Sequence, residues 1–127
     1  MARTAADLTP QELYLYRRAA RERMRQVRED VALRRDRAMD LARRAAQLLR
    51  ERFGVTRVVV FGSVVREGCF TPWSDVDLAA WGLKSADTFL AIGVTHGLDP
   101  EIEVSLVDMS ICPPSLSAVI EAESREL

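Results

Sequence analysis

The sequence predicts one domain of the α/β (α+β) class, with three strands and two helices behind an extended N-terminal helical region. Three observations predict it. From Gln11 to Phe53 there is neither Gly nor Pro, and apolar or small residues recur three and four apart, the period of an amphipathic helix. From Gly54 onward, β-branched or alternating segments take turns with helical ones, the order that lays helices on a sheet. Finally, 127 residues, 48% hydrophobic and 29% charged, suffice for one core without disulfides and leave no room for a second full domain. That composition also excludes disorder and fibrous repeats.

The helical region opens at Thr9-Pro10-Gln11-Glu12. Thr9 can cap, Pro10 suits the first helical position, and Glu12 completes a capping box. The stripe then runs through Leu13, Tyr16, Ala20, Met24, Val27 and Val31, and on through Ala38, Leu41, Ala45, Leu48 and Leu49. An unbroken helix of this length would span about 65 Å, more than so small a domain is wide. Either it breaks at the charged run Arg34-Arg35-Asp36-Arg37, or it projects as an arm whose stripe needs a partner. Gly54 ends it. Residues 1–53 thus form the helical region, its last part packed on the sheet, and residues 54–127 the core domain.

Thr56-Arg57-Val58-Val59-Val60-Phe61 reads as a buried strand, broken by Gly62-Ser63. After a loop containing Gly68 and Pro72, Asp75 to Trp81 forms a second strand, with Trp81 in the core. Lys84 to His96 suits a helix, and Glu101 to Asp108 alternates strictly, as a half-buried strand does. Pro113-Pro114-Ser115 opens a last helix carrying Leu116, Val119 and Ile120 inward, with Glu121, Glu123 and Glu126 as its solvated face.

Charge and cysteines narrow the function classes. The net charge of −1 divides into +6 over residues 1–53 and −7 over residues 54–127. The halves can attract each other, or the basic one can face an acidic partner or RNA. The simpler reading is a solvated Arg-rich helix face. No aromatic interleaving supports nucleic acid as the direct substrate. Cys69 and Cys112 stand alone, with His96 the only imidazole, so neither a zinc site nor a disulfide framework is expected. No apolar run approaches a membrane span and the start lacks a secretory h-region, so the expectation is a cytoplasmic protein without membrane contact.

Two features carry chemistry. Asp75 and Asp77 lie two apart on a strand, so both project from one face, and two such carboxylates can share a hard cation such as Mg²⁺. Gly62-Ser63 ends the neighbouring strand, where glycine admits close backbone approach and N–H groups with a hydroxyl can cradle phosphate. Either alone is weak: a DxD also marks solvated strand starts, and Gly-Ser also marks ordinary turns. Together they are much stronger.

Phe61-Gly62-Ser63, eleven intervening residues, then Asp75-Val76-Asp77-Leu78 resembles the signature of the DNA polymerase beta-type nucleotidyltransferases. It most resembles the minimal nucleotidyltransferase (MNT) domains encoded beside HEPN ribonuclease toxins, in which this loop is usually one residue shorter. The resemblance covers about Ala38–Leu127. It implies the nucleotidyltransferase fold with a small mixed three-stranded sheet, ATP as substrate, and Mg²⁺ held by Asp75 and Asp77. It also implies nucleotide binding by Gly62, Ser63, Ser74 and Arg66. Relatives carry a third Asp on the third strand, where Val104-Ser105-Leu106-Val107-Asp108 places Ser105. Glu103, two residues earlier on the same face, is the candidate third metal ligand and acid; Asp108 faces the other way.

Three functions compete. The first is transfer of AMP from ATP to a hydroxyl of a HEPN toxin, the protein acting as antitoxin. The second is an antitoxin with a weak or inactive site that neutralises its toxin by binding, through the long Arg-rich helix. The third is a small-molecule transferase of the aminoglycoside type, for which so short a chain offers little second pocket. Trp73 can stack on a nucleobase or serve as packing or rim. Arg66 can meet phosphate or solvent, and His96 suits a helix end.

Overall fold

Thr9 caps the first helix as its residue type dictates: its hydroxyl accepts the Glu12 N–H at 3.1 Å, and the Glu12 carboxylate accepts the Thr9 N–H at 3.1 Å. In the computed structural model, which describes residues 5–127, helix α1 runs unbroken over Pro10–Phe53, about 66 Å. It ends at Gly54, whose φ of 65° is the left-handed cap expected there. The strands that follow are β1 (Arg57–Phe61), β2 (Val76–Trp81), β3 (Val104–Asp108) and β4 (Arg125–Glu126). Helix α2 (Thr88–His96) lies between β2 and β3, and α3 (Pro114–Glu123) between β3 and β4.

The sheet is mixed, in the order β3-β2-β1-β4. β1 pairs antiparallel with β2 and with β4, while β2 and β3 run parallel across the α2 crossover. One face buries Val58, Val60, Val76, Leu78, Ala80, Val104 and Leu106 against α1. Ala38, Ala42, Ala45 and Ala46 of α1 are almost completely buried there, and their small side chains let the helix lie close to the sheet. The other face packs Val59, Phe61 and Ala79 against Ile120 of α3.

The structure settles the alternative at Arg34–Arg37: the helix does not break. Its N-terminal half projects, with Tyr16, Met24 and Val27 of the apolar stripe 61%, 61% and 49% exposed. The charged run is half-buried at Arg34 and Arg35 and exposed at Asp36 and Arg37. Arg34 donates to the Ser74 carbonyl at 3.1 Å, Arg35 to the Val64 carbonyl at 2.9 Å, and Arg37 pairs with Glu101 at 2.9 Å. Among the described residues no helix is long and apolar enough to cross a membrane.

Four expectations need correction. The sheet has a fourth strand, and Glu126 belongs to it, not to a helix face. Arg57 explains why: its guanidinium holds Glu126 at 2.6 Å and Glu121 at 3.4 Å. Trp81 is half-buried beneath that same guanidinium, 4.1 Å from the ring centroid, not enclosed in the core. Val119 is 40% exposed, because α3 turns only Ile120 and Leu116 toward the sheet.

Candidate active site

Antiparallel pairing of β1 with β2 sets Phe61 opposite Asp77, so the turn that begins at Gly62 lies directly beside the second carboxylate. The approach is close enough that a side chain at Gly62 would have to displace the carboxylate. A Cβ placed on Gly62 would stand 2.5 Å from Asp77 Oδ2, and Gly62 has φ +78°, the left-handed region that favours glycine. Gly62-Ser63 and Asp75-Val76-Asp77 are therefore one constellation. Val64, fully buried, anchors the turn below, and Gly62 O accepts the Val65 and Arg66 N–H groups at 3.2 and 3.3 Å.

Val76 and Leu78 point into the α1 face of the core, which turns Asp75 and Asp77 together to the opposite, half-exposed side. Neither carboxylate forms an ion pair among the described residues. Burial, then the neighbouring Asp75 charge, push the Asp77 carboxyl above its ordinary range, and only Arg66 pulls it down. Two uncompensated carboxylates side by side are a fitting donor set for a divalent cation.

The remaining sequence-predicted residues are distributed around this pair. Ser105 stands opposite Asp77 in the parallel β2–β3 register, so the third-strand position facing the carboxylates offers a hydroxyl. Glu103 begins that edge: its N–H reaches Asp75 Oδ1 at 3.4 Å, but its carboxylate turns to His96 Nε2 at 3.6 Å. Among the described residues no third His, Cys, Asp or Glu is gathered with the carboxylate pair. The Arg66 guanidinium is paired with Glu123 at 3.0 Å. Ser74 closes a turn, accepting the Thr71 N–H at 2.9 Å and sharing a 3.0 Å hydroxyl contact with Thr71. Asp108 is buried on the other face. Burial pushes its carboxyl up, but hydrogen bonds from Ser110 and Thr88 outweigh this and hold it below the ordinary range.

Sequence reasoning missed Arg34 and Arg35. Arg34 bridges the carbonyls of Ser74 and Glu101, at 3.1 and 3.4 Å, and so ties together the entries to β2 and β3. Arg35 fixes the Val64 carbonyl of the Gly-Ser turn. A charge run on a helix gives no signal of this in one dimension; its only mark is that it interrupts the apolar stripe.

A small mixed sheet with a Gly-Ser turn abutting a DxD strand defines a nucleotidyl-transfer type of domain. The chain belongs to the nucleotidyltransferase domain family, whose model matches residues 42–111, more than half of its length. Among solved structures it is similar in fold to the antitoxin–toxin complex MntA–HpeT in a form with two Asp-to-Glu substitutions. That likeness has TM-score 0.56 and 17% identity, covering 67% of this chain and 70% of that one. A second is the complex of tri-AMPylated Shewanella oneidensis HEPN toxin with MNT antitoxin, with TM-score 0.53, 17% identity and 70% of each chain covered. A third is a toxin–antitoxin complex with AMP-PNP, with TM-score 0.54, 20% identity, and 64% and 67% covered. No curated protein matches the chain in sequence.

Proposed function

We propose that this chain is an adenylyltransferase that moves AMP from ATP to a hydroxyl of a HEPN-type toxin and so acts as its antitoxin. One observation carries the reading: the Asp77 carboxylate occupies the space a Gly62 side chain would need, so phosphate cradle and carboxylate pair are built as one unit. The similar solved complexes, one with an AMPylated toxin and one with AMP-PNP, support the choice of nucleotide and acceptor.

In this reading Asp75 and Asp77 hold Mg²⁺, which supplies charge neutralisation on the triphosphate. Gly62 and Ser63 bind the β- and γ-phosphate oxygens, with Arg66 and Ser74 at the rim. The acceptor oxygen bonds to the α-phosphorus, the bond to the β-phosphate oxygen breaks, and pyrophosphate leaves with the electron pair. The hydroxyl proton passes to Glu103, which must leave His96 to receive it. Arg34 and Arg35 take no part in the chemistry but hold both loops in place.

A second reading has its own support. Ser105 opposite Asp77, and Glu103 directed at His96, suit a protein that neutralises its toxin by binding. The uncovered stripe of the α1 arm would be its docking surface. Incubation with α-labelled ATP, Mg²⁺ and the partner toxin separates the two. Label on the toxin supports the transferase; a stable but unlabelled complex supports the binding antitoxin.

A further inference from the structure

Among the described residues, Trp73 and Phe89 are the two aromatic side chains that the packing of this fold leaves almost wholly uncovered. Trp73 is 83% exposed, although an indole is among the side chains that gain most from burial. Its backbone, by contrast, is held on both sides. Thr71 Oγ1 accepts the Trp73 N–H at 3.2 Å, and the Ser74 N–H donates to the Thr71 carbonyl at 3.1 Å. Arg34 holds the Ser74 carbonyl from the helix, and Pro72 restricts φ within the turn. A side chain left in water on a pinned turn is presented, not stranded.

Its place says to what. Only Ser74 separates Trp73 from Asp75, two residue steps or at most about 7 Å of chain, and an indole spans a comparable distance. On the nucleotide-binding reading of the site, the α-phosphate lies at the carboxylate pair and the β- and γ-phosphates at Gly62-Ser63. The nucleoside must therefore leave the α-phosphate on the side away from that turn. The other aromatics are either covered or lie away from the carboxylate pair. Phe53, Phe61 and Phe70 are no more than 9% exposed, Trp81 lies under Arg57, Tyr14 and Tyr16 are on the arm, and Phe89 opens α2 near the far end of β3. Among the described residues, Trp73 is the one exposed aromatic on the loops that frame the site.

We infer that Trp73 is a nucleoside-positioning residue, its indole stacking on the base of the bound nucleotide. The inference rests on the nucleotide-binding reading above and adds to it the group that holds the base. Stacking uses the π-face common to all bases and is worth about 5- to 140-fold in affinity.

The test measures binding of ATP and of inorganic tripolyphosphate, each with Mg²⁺, to the full chain and its Trp73→Ala and Trp73→Phe variants. Because the side chain is exposed, both variants are expected to melt with the wild type. Trp73→Ala should bind ATP about tenfold more weakly, Trp73→Phe within about threefold of wild type, and tripolyphosphate should bind all three alike. Equal ATP affinity in wild type and Trp73→Ala overturns the inference. Where transfer to the toxin then falls with ATP binding unchanged, the indole belongs to the acceptor contact instead. Tripolyphosphate bound by wild type without any preference for ATP also overturns it while leaving the phosphate cradle standing. Failure of wild type to bind either ligand overturns the nucleotide reading itself.

Discussion

Replacing Asp77 by Asn should abolish nucleotidyl transfer and at the same time make the protein harder to unfold. Asp75 and Asp77 share a strand face at a separation of about 7 Å, and neither has a counter-ion among the described residues. Their repulsion is about 0.6 kcal/mol at the dielectric of water and about 2.4 kcal/mol at an effective value of 20. Both groups are half-exposed, so screening holds the cost near the lower end, about 1 kcal/mol. The Asp77 carboxyl is raised by burial and by Asp75. Its ionisation is thus easier in the unfolded chain, and this contribution to stability is full at acid pH and lost as pH rises through the raised value. Asn removes the penalty at neutral pH, and in a domain of this size Tm should rise by about 3–6 °C. Calorimetry in metal-free buffer at pH 7.5 measures it. The same scan with Mg²⁺ should raise the wild-type Tm and leave Asp77→Asn unmoved. A lower Tm for Asp77→Asn, or equal Mg²⁺ responses, would refute the view of an uncompensated cation-binding pair.

Three further predictions follow from the geometry. Gly62→Ala places a Cβ on Asp77 Oδ2 and strains a left-handed backbone, so transfer should fall more than tenfold; Gly68→Ala, with φ +73° and nothing within 4 Å, should cost about 1–2 kcal/mol in stability but keep activity. Ser105→Asp adds a third carboxylate opposite Asp77 and should raise the rate of label transfer at least tenfold if the serine limits the site; an unchanged rate would show that Glu103 already serves. Thr88→Val removes the 2.8 Å hydrogen bond to Asp108 and should cost about 1.5–3 kcal/mol. Asp108 stabilises above its unfolded pKa, a contribution lost as pH falls through the depressed folded value, so the variant should unfold at a higher pH in an acid titration followed by circular dichroism.

Much of this architecture was legible because local chemistry and global fold agree. Thr9-Pro10-Glu12 and Gly54 bracket α1 as the capping rules require, and the β-branched run to Phe61 and the alternation before Asp108 both became strands. The Gly-Ser and DxD pair was visible as a motif, though only the folded chain reveals that Gly62 combines a left-handed backbone with a carboxylate in the space a side chain would take. β4 was not legible: two polar residues carry no hydrophobic pattern, and their place is set by Arg57 across the sheet. The Arg34–Arg37 run was ambiguous for a related reason. Its guanidinium groups reach carbonyls 29 to 67 residues away, and periodicity within a helix contains no trace of contacts at such separations. Glu103 shows the limit most clearly: alternation gives its strand face, but not that its carboxylate meets His96.

The most direct test of the central claim follows the α-phosphate. Purified protein, α-labelled ATP, Mg²⁺ and the partner toxin should yield label covalently on the toxin and free pyrophosphate, with neither formed by an Asp75→Asn/Asp77→Asn variant that remains folded. A stable wild-type complex with the toxin, no label on it and the toxin nevertheless silenced would contradict the transferase and establish neutralisation by binding.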